Sequence, residues 1–432
     1  MTRVVVASDK FKGSLTSNQV ATTVAEGVRR TCPDATVDAV PVADGGDGTL
    51  AAAVAAGFEF VPATASGPTG EAVRTGYARR RVSTDHGGHD VAVVELADVS
   101  GLVRLPAARD RAVPEHADFV HGSSTPSGPP YSDGAQSGAI PHGGGFGRPA
   151  PLTASSRGTG EVIAAAIDKG CTRIILGIGG SASTDGGAGL IRALGAKLLD
   201  ADGAPVGEGG GALAAAASLD LTDLRERMAG VEVVVACDVD NPLTGPAGAA
   251  AVYGPQKGAD ADQVAELDDG LARWADLVAR ETGRDVRDAP GAGAAGGVGF
   301  AALALLGAEL RPGIELMLEL VGFHQQLAGA DLVVTGEGAL DEQTLHGKAV
   351  TGVAAAAGAA GVPVVAVCGT NRLDPARLRA AGVEAAYALT DLEPDVRRCI
   401  AEPIPLLRQL GERIAADHLA RSTMTATERG FA

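Results

Sequence analysis

The stretch that most constrains the fold runs from Arg173 to Leu194, with the sequence RIILGIGGSASTDGGAGLIRAL. It opens with Ile174-Ile175-Leu176, an apolar run that is too short for a helix and is typical of a buried parallel strand. A turn rich in glycine, serine and threonine follows and leads into an apolar helical pattern. Such a turn lets the backbone approach a phosphate, and free N–H groups at a helix start favour negative charge. The stretch predicts either an anion cradle or a tight, capped strand–helix turn, and both stay open at this point.

The same alternation of short apolar runs and helical patterns extends over most of the chain. Runs with the composition of buried strands lie at residues 3–8, 37–42, 231–236, 331–335 and 362–367. Strands that alternate with helices predict a mainly parallel sheet. Residues 60–100 differ, because mixed apolar runs separated by Gly and Pro favour a more antiparallel section. The predicted fold class is therefore α/β, with a domain boundary near that section.

The composition excludes several classes of protein. A net charge of −17 disfavours nonspecific binding to nucleic acid or to an anionic membrane. The N-terminal apolar run is too short for a signal peptide, and no window approaches the ~20 apolar residues that a membrane helix needs. The five cysteines are scattered and form no CxxC pair, which is typical of a reducing compartment. We therefore expect a soluble cytoplasmic protein with no nucleic acid or membrane partner.

One long segment departs from this pattern. Residues 113–150 are rich in Gly, Ser and Pro and show no periodicity, which favours a disordered insertion over a lid. Its three histidines are expected to be solvated rather than bound to a metal. Residues 421–432 are expected to form a frayed tail.

Acidic side chains recur at the ends of the predicted strands. The ligand crevice of a parallel sheet lies beyond the carboxyl ends of its strands, so these side chains should meet there. A single acid could equally be a helix N-cap, but five strand ends that all carry one favour a shared site. The acids are Asp9, Asp44, Asp47, Asp185, Asp238, Glu337 and Asp341.

Lysine is scarce in this chain, which has 30 Arg and only 6 Lys. Four of the six lysines lie in glycine-flanked loops at strand ends, namely Lys10, Lys12, Lys257 and Lys348. Lysine is a compact point charge that suits a terminal or migrating phosphate. Clustered acids would hold Mg²⁺, which takes one or two carboxylates together with phosphate and water. Cations, a backbone cradle and metal carboxylates are together the parts of a phosphoryl-transfer site.

Six motifs then carry a resemblance to a known family. They are SDKFKGS, PVADGGDGT, SRGTGE, GIGGSASTDGGAG, CDVDNPLTGPAGAAAVYGPQKGA and TGEGALDEQT with a following GK. Over about residues 3–390 their order resembles the bacterial glycerate kinase family of the single-chain, glycerate 2-kinase-like type. The resemblance implies ATP- and Mg²⁺-dependent phosphorylation of D-glycerate, with 2-phosphoglycerate favoured and 3-phosphoglycerate left open.

The resemblance also implies two α/β domains with a cleft between them, one Rossmann-like with a mainly parallel sheet and the other with a more mixed sheet. We expect residues 1–66 and 300–420 to form one discontinuous domain and residues 67–299 to form the inserted one. Two departures from the family pattern stand out: residues 113–150 resemble an insertion, and Ala339 stands where the family usually has Arg. Loss of that Arg could lower activity or alter specificity.

The family's chemistry does not fix the role of each residue, so the following assignments are hypotheses. The expected catalytic residues are Lys10, Lys12, Asp185, Asp238 and Lys257. The expected substrate- and phosphate-binding residues are Ser14, Asp44, Gly179, Gly180, Ser181, Asn241, Gln343 and Lys348. The candidate Mg²⁺ ligands are Asp44, Asp238 and Glu337, and the acids compete for this role and for that of the general base.

Three other readings stay open. A nicotinamide dehydrogenase would also use glycine-rich strand–turn–helix units, but Gly177-Ile178-Gly179 lacks the third glycine of that fingerprint in register. A nucleotide-binding regulatory protein would not need acids at several strand ends. A catalytically impaired family member, altered at Ala339, is the third. Small-molecule substrates are the expected partners, with a homodimer left open.

Overall fold

The computed structural model describes residues 2–84, 87–106, 149–345 and 348–419. The expected insertion at 113–150 lies outside the described residues except for its last two positions, and the expected tail at 421–432 lies outside them entirely. Within the described ranges, no helix is long and apolar enough to cross a membrane.

The described residues form strands and helices in the following order. The strands are β1 (Arg3–Ser8), β2 (Thr36–Ala39), β3 (Glu59–Ser66), β4 (Ala72–Thr84), β5 (Gly87–Glu95), β6 (Cys171–Gly177), β7 (Lys197–Leu199), β8 (Ser218–Asp220), β9 (Glu232–Ala236), β10 (Glu309–Arg311), β11 (Leu332–Leu340), β12 (Val364–Asn371) and β13 (Ala385–Ala388). The helices are α1 (Ser17–Thr31), α2 (Thr49–Ala55), α3 (Ala97–Ser100), α4 (Arg157–Asp168), α5 (Ala188–Ala193), α6 (Thr222–Arg227), α7 (Ala249–Tyr253), α8 (Ala261–Thr282), α9 (Ala294–Leu305), α10 (Gly313–Leu320), α11 (Phe323–Gln326), α12 (Ala349–Ala359), α13 (Pro375–Ala380), α14 (Val396–Ala401) and α15 (Pro403–His418).

The first sheet is parallel throughout and has the order β13-β12-β11-β1-β2. Strand β1 is apolar along its length because helices cover both faces of this sheet. Val4 and Val6 pack in the core beneath α1 and α15, whereas Val5 and Ala7 pack in the core beneath α10 and α12. Helices α1 and α15 approach closely at Gly27, where a Cβ atom would lie 2.2 Å from the carbonyl oxygen of Arg408.

The second sheet is mixed and has the order β10-β9-β6-β5-β4-β3. Strands β10, β9, β6 and β5 run parallel, and β4 pairs antiparallel with both β5 and β3. A separate two-stranded ribbon joins β7 to β8. These two sheets confirm the predicted α/β class, with one mainly parallel and one more mixed sheet.

Several element bounds differ from the sequence prediction. The strand expected at 331–335 continues to Leu340, because its parallel partner β12 supplies hydrogen bonds as far as Asn371. Helix α9 is interrupted near its start at Ala295–Gly297, where all three residues have positive φ. Strand β3 belongs to the second sheet although it lies before the expected domain boundary at residue 66. The domain limits themselves stay a prediction, because sheet membership alone does not set them.

A glycine-rich loop after β2 lies against the second sheet and positions the cleft. A Cβ atom on Gly177 would lie 2.7 Å from the carbonyl oxygen of Gly45, and one on Gly179 would lie 2.6 Å from the Cα atom of Gly46. Only glycine permits this backbone approach. Asp44, at the start of this loop, is thereby held next to the carboxyl end of β6.

Candidate active site

Two cavities meet at the loop that follows β2. The large cavity, of about 650 Å³, lies at the carboxyl ends of β1, β11 and β12 in the first sheet. The small cavity, of about 220 Å³, lies at the carboxyl ends of β6 and β9 in the second. Four residues line both cavities: Asp44, Gly46, Gly179 and Gly180. The predicted crevice beyond the strand ends is therefore one cleft with two compartments.

Gly179 and Gly180 form the predicted cradle at this junction. Their backbone N–H groups donate to no acceptor among the described residues. Gly180 has a φ of 74°, a conformation that other residues rarely adopt. A pair of free N–H groups beside a concave surface is suited to binding an anion.

Beyond Ser181, residues 182–189 of the glycine-rich turn line neither cavity. The Asp185 carboxylate is buried and accepts hydrogen bonds from the N–H (2.8 Å) and hydroxyl (2.8 Å) of Ser156 and from the N–H groups of Gly187 and Gly189, both at 3.2 Å. Burial raises the pKa of Asp185, although its hydrogen bonds with Ser156 oppose that rise. The geometry therefore favours a positioning role for Asp185 over the expected catalytic one.

Lys257 lies beneath the same turn and lines the small cavity. Its ammonium group donates to the hydroxyl of Ser181 at 2.9 Å and to the carbonyl of Ser183 at 2.5 Å. Burial lowers the pKa of Lys257 to about 7, against the opposing effect of the Asp185 carboxylate. Ser181, which accepts a hydrogen bond from Lys257, also lines the small cavity. The structure therefore brings the predicted residues Lys257 and Ser181 together.

Asp238 follows β9 and lines the small cavity. Its Oδ1 accepts a hydrogen bond of 2.8 Å from the N–H of Gly313, at the start of α10. The side chain reaches solvent inside the cavity, but the surrounding protein removes part of its hydration. This burial raises the pKa of Asp238 to about 6, with a further rise from Asp44 and an opposing effect of Lys348. One oxygen of the Asp238 carboxylate, Oδ1, is therefore hydrogen-bonded to the backbone, and Oδ2 is left for another partner.

Asn241 does not line either cavity, contrary to its expected role in substrate binding. Its amide donates to the carbonyl of Ala247 at 2.8 Å, and its Oδ1 accepts a hydrogen bond of 2.6 Å from the hydroxyl of Tyr253. Tyr253 lines the small cavity, so Asn241 orients a wall residue. Ala295 lines the same wall with a φ of 53°, the one positive φ among non-glycine residues in the described ranges.

The large cavity contains four cations, three of them predicted. Lys10 is paired with the exposed Asp47 at 3.3 Å. Burial would lower the pKa of Lys10, but nearby carboxylates, chiefly Asp9 and Asp47, raise it above its ordinary value. The other three cations, Lys12, Lys348 and Arg372, form no ion pair with any described residue, and only Lys348 has a side-chain partner, Gln343 at 3.3 Å.

Two further predicted binding residues are placed as follows. Ser14 lines the large cavity and donates to the carbonyl of Phe11 at 3.1 Å. Gln343 is exposed and lines neither cavity, but it accepts a hydrogen bond from Lys348, which does line the large cavity.

Ala339, the departure from the family pattern, lies in the wall of the large cavity and pairs in register with Thr370 of β12. Arg372, two residues further along, brings a guanidinium group to the same wall.

Two carboxylates in the large cavity, those of Asp9 and Glu337, are only partly solvated. Burial raises the pKa of Asp9 to about 7, with a lowering effect of Lys10 and a raising effect of Asp44. Burial also raises the pKa of Glu337, which lies on β11. Glu337 Oε1 is buried and has no hydrogen-bond partner in the described structure.

The predicted metal ligands do not converge on one point. No group of three His, Cys, Asp or Glu side chains in the described part of the chain is placed to hold a metal ion. Mg²⁺ needs only one or two carboxylates when phosphate and water complete its shell. The orphaned oxygen of Glu337 and the position of Asp44 between the cavities fit that requirement.

Sequence reasoning left three residues of this site unassigned: Asp9, Tyr253 and Arg372. Asp9 was available as an acid after β1, and Tyr253 belongs to the fifth motif. Arg372 could not be found by the scarcity of lysine, because it is one of 30 arginines. Its only sequence signal is its place five residues after the last predicted strand, 362–367.

Comparisons with known proteins agree on one family. The model of the glycerate kinase family matches residues 4–118 and 146–419. A protein of Bacillus subtilis (strain 168) named glycerate kinase is 40% identical over 388 residues, which cover 90% of each chain. A protein of Escherichia coli (strain K12) named glycerate 2-kinase is 39% identical over 389 residues, again 90% of each chain. The crystal structure of a candidate glycerate kinase 2 from Salmonella typhimurium LT2 has a TM-score of 0.75 and 37% identity and covers 99% of each chain.

Proposed function

The chain belongs to the glycerate kinase family, and from that premise we propose that it transfers the γ-phosphoryl group of ATP to a hydroxyl of D-glycerate with the help of Mg²⁺. The observation that carries this proposal is the junction of the two cavities at Asp44, Gly179 and Gly180. A phosphoryl group must pass from one substrate to the other, so two compartments that share an anion cradle suit the reaction.

We assign the nucleotide to the large cavity. Its volume of about 650 Å³ suits the larger substrate, and the cavity is lined by Lys12, Lys348 and Arg372, which form no ion pair with a described carboxylate. A triphosphate would bring the compensating negative charge. Arg372 would then provide the guanidinium group that Ala339 lacks, which argues for an active enzyme over an impaired one.

We assign glycerate to the small cavity, whose volume of about 220 Å³ suits a short hydroxy acid. The hydroxyl of Ser181 accepts from Lys257, so its own proton is available to the substrate carboxylate. The third proton of the Lys257 ammonium group is available in the same way. These groups would hold the acid with its hydroxyl directed towards Asp238.

Asp238 is our candidate for the general base. Its Oδ2 would accept the proton of the glycerate hydroxyl as that oxygen bonds to the γ-phosphorus and the bond to the β-phosphate oxygen breaks, releasing ADP. A pKa of about 6 leaves the carboxylate ionised at neutral pH while it remains basic enough to take a proton. Gly179 and Gly180 would donate their N–H groups to the transferring oxygens, and Lys12 and Lys348 would offset their charge.

Asp44 and Glu337 are the residues that would hold Mg²⁺. When bound, the ion would offset the negative charge of the phosphate oxygens. Transfer to the 2-hydroxyl is the favoured outcome, in line with the name glycerate 2-kinase of the Escherichia coli relative. The cytoplasmic location and the homodimer stay predictions.

A steady-state assay of ADP release tests the proposal. Turnover should require ATP, D-glycerate and Mg²⁺ together, and a chelator should abolish it. ADP release at the same rate without D-glycerate would contradict the assignment, because it would show transfer to water alone.

A further inference from the structure

The two ends of the large cavity differ in chemistry. One end carries the cations and carboxylates described above. The other end carries an apolar wall, formed by Leu389, Val396, Cys399 and Ile400. Leu389 and Cys399 are buried in the core of the first sheet, whereas Val396 is 47% exposed and Ile400 is 37% exposed.

The geometry of α14 directs the exposed pair towards the cavity. Val396 and Ile400 are four residues apart, so they lie side by side on one helix face. Cys399 lies next to this pair at the edge that faces the core, where it is buried and donates to the carbonyl of Glu393 at 3.1 Å. Arg398 also pairs with Glu393 at 3.0 Å. The helix therefore cannot easily turn to bury Val396 and Ile400.

Two aliphatic side chains held open to water forgo the free energy that burial would provide. A ligand with a flat apolar face would restore it. The cavity extends from the cations to this wall, so one molecule could contact both ends if it carried a polyanion on one side and a ring system on the other. A nucleoside triphosphate has that chemistry.

We infer that Leu389, Val396, Cys399 and Ile400 form the subsite for the nucleotide base, which packs on their apolar surface while its phosphates lie at Lys12, Lys348 and Arg372. This inference rests on the proposed function and adds the means by which the nucleotide is recognised. Affinity for the base then comes from apolar contact with α14, separately from the affinity of the phosphates for the cations.

Binding of two probes to paired variants separates these contributions. Mg²⁺ complexes of a non-hydrolysable ATP analogue and of inorganic tripolyphosphate are titrated by calorimetry into the wild type, Ile400→Asn and Ile404→Asn. Ile404 is the matched control, because it is 39% exposed, lies four residues further along and does not line the cavity. A neutral substitution avoids repulsion of the phosphates.

Ile400→Asn should raise the Kd of the ATP analogue by about tenfold, as expected for loss of one well-covered aliphatic side chain. It should leave the Kd of tripolyphosphate unchanged, and Ile404→Asn should bind both probes like the wild type. Equal affinity of Ile400→Asn and the wild type for the ATP analogue would overturn the inference, as would a parallel loss of both probes. If Ile400→Asn does not fold, Val396→Thr, which keeps the side-chain shape, is read by the same criteria.

The outcome is distinct from that of the proposed function. If the wild type binds the analogue through α14 but does not phosphorylate D-glycerate, the base subsite stands and the proposed reaction fails. If D-glycerate is phosphorylated and the KM for ATP of Ile400→Asn is that of the wild type, the reaction stands and the base subsite fails.

Discussion

Two glycine-rich regions border the cleft, and they are built in opposite ways. The turn from Ser183 to Gly189 is buried, with Asp185 accepting four hydrogen bonds of 3.2 Å or less and Lys257 bonded to the Ser183 carbonyl. On the other side, the exposed Lys12 and the half-buried Lys348 have no ion pair within the described ranges. The first region uses the Asp185 carboxylate to hold its own structure, whereas the second leaves its lysines to a ligand.

This difference separates two uses of the same residue types. Both regions combine glycine with acids or lysines at a strand end. In the first, the Asp185 carboxylate is saturated by hydrogen bonds from the protein, so its loss should reduce stability. In the second, the lysines form no ion pair with a described residue, so their loss should reduce binding or turnover and leave the fold intact. Asp238 is intermediate between these two cases, because Oδ1 accepts a hydrogen bond from the backbone and Oδ2 is available to a ligand.

The largest expected effect is at Asp238. Asp238→Asn keeps the acceptor for the Gly313 N–H but removes the carboxylate charge, so kcat should fall by at least about 10² with the fold retained. The substitution is checked by steady-state kinetics and a thermal melt, with the exposed Asp240→Asn as control. The Mg²⁺ concentration for half-activity should not change if Asp238 is the base, whereas it should rise if Asp238 is a metal ligand. Normal kcat at saturating Mg²⁺ would remove Asp238 from the site.

The next effect is on stability, at Asp185. Asp185→Asn places an amide NH₂ against N–H donors that the carboxylate now satisfies, so the free energy of unfolding should fall by about 2–4 kcal/mol. Glu337→Gln is the contrasting variant, because Glu337 Oε1 accepts no hydrogen bond from the described residues and the carboxylate is bonded by Thr344 alone among them. Denaturant unfolding of both proteins measures the difference. Equal stability of the two variants would show that the buried turn is not stabilised in the way described.

The apolar pattern of the chain was sufficient to predict most strands, since residues such as Val4 to Ala7 are apolar on both faces only when helices cover both sides of a sheet. The end of β11 could not be predicted, because its glycines are held in strand geometry by pairing with β12, about 30 residues away in sequence. The position of Asp185 depends in the same way on Ser156, which precedes it by 29 residues. Contacts between distant segments decided whether an acid was structural or open to the cleft.

A smaller effect is expected at Lys12. Lys12→Arg keeps the charge but replaces a compact donor group with a planar fork, so kcat/KM for ATP should fall by about tenfold while the melting temperature stays the same. Lys169→Arg, at an exposed helix end, is the matched control. If Lys12→Arg has wild-type kinetics, Lys12 is only a surface cation. Lys348 and Arg372 would then be the unpaired cations of the large cavity that are left to bind the phosphates.

The smallest effect concerns pH and Asp9. Its pKa in the folded protein is about 7, above the ordinary value of 3.8, so the folded state binds more protons than the unfolded state between these values. The contribution of Asp9 to stability is therefore lost as the pH rises through this window. Asp9→Asn should raise Tm relative to the wild type at pH 8 by about 1 °C or more and should give no gain at pH 4. Thermal melts of both proteins at pH 4 and pH 8 measure this difference in Tm. An equal difference at the two pH values would show that it does not arise from the ionisation of Asp9.

Phosphoryl transfer between the two cavities is tested most directly by ³¹P NMR of a reaction of the wild-type enzyme with ATP, Mg²⁺ and D-glycerate. We expect the γ-phosphate signal of ATP to be replaced by the signals of ADP and, in equal amount, of one phosphomonoester. Coupling of that phosphorus to a single carbon-bound proton would identify the 2-phosphate, and coupling to two such protons the 3-phosphate. Release of inorganic phosphate alone, or no consumption of ATP, would contradict the claim that the two cavities hold the two substrates of one phosphoryl transfer.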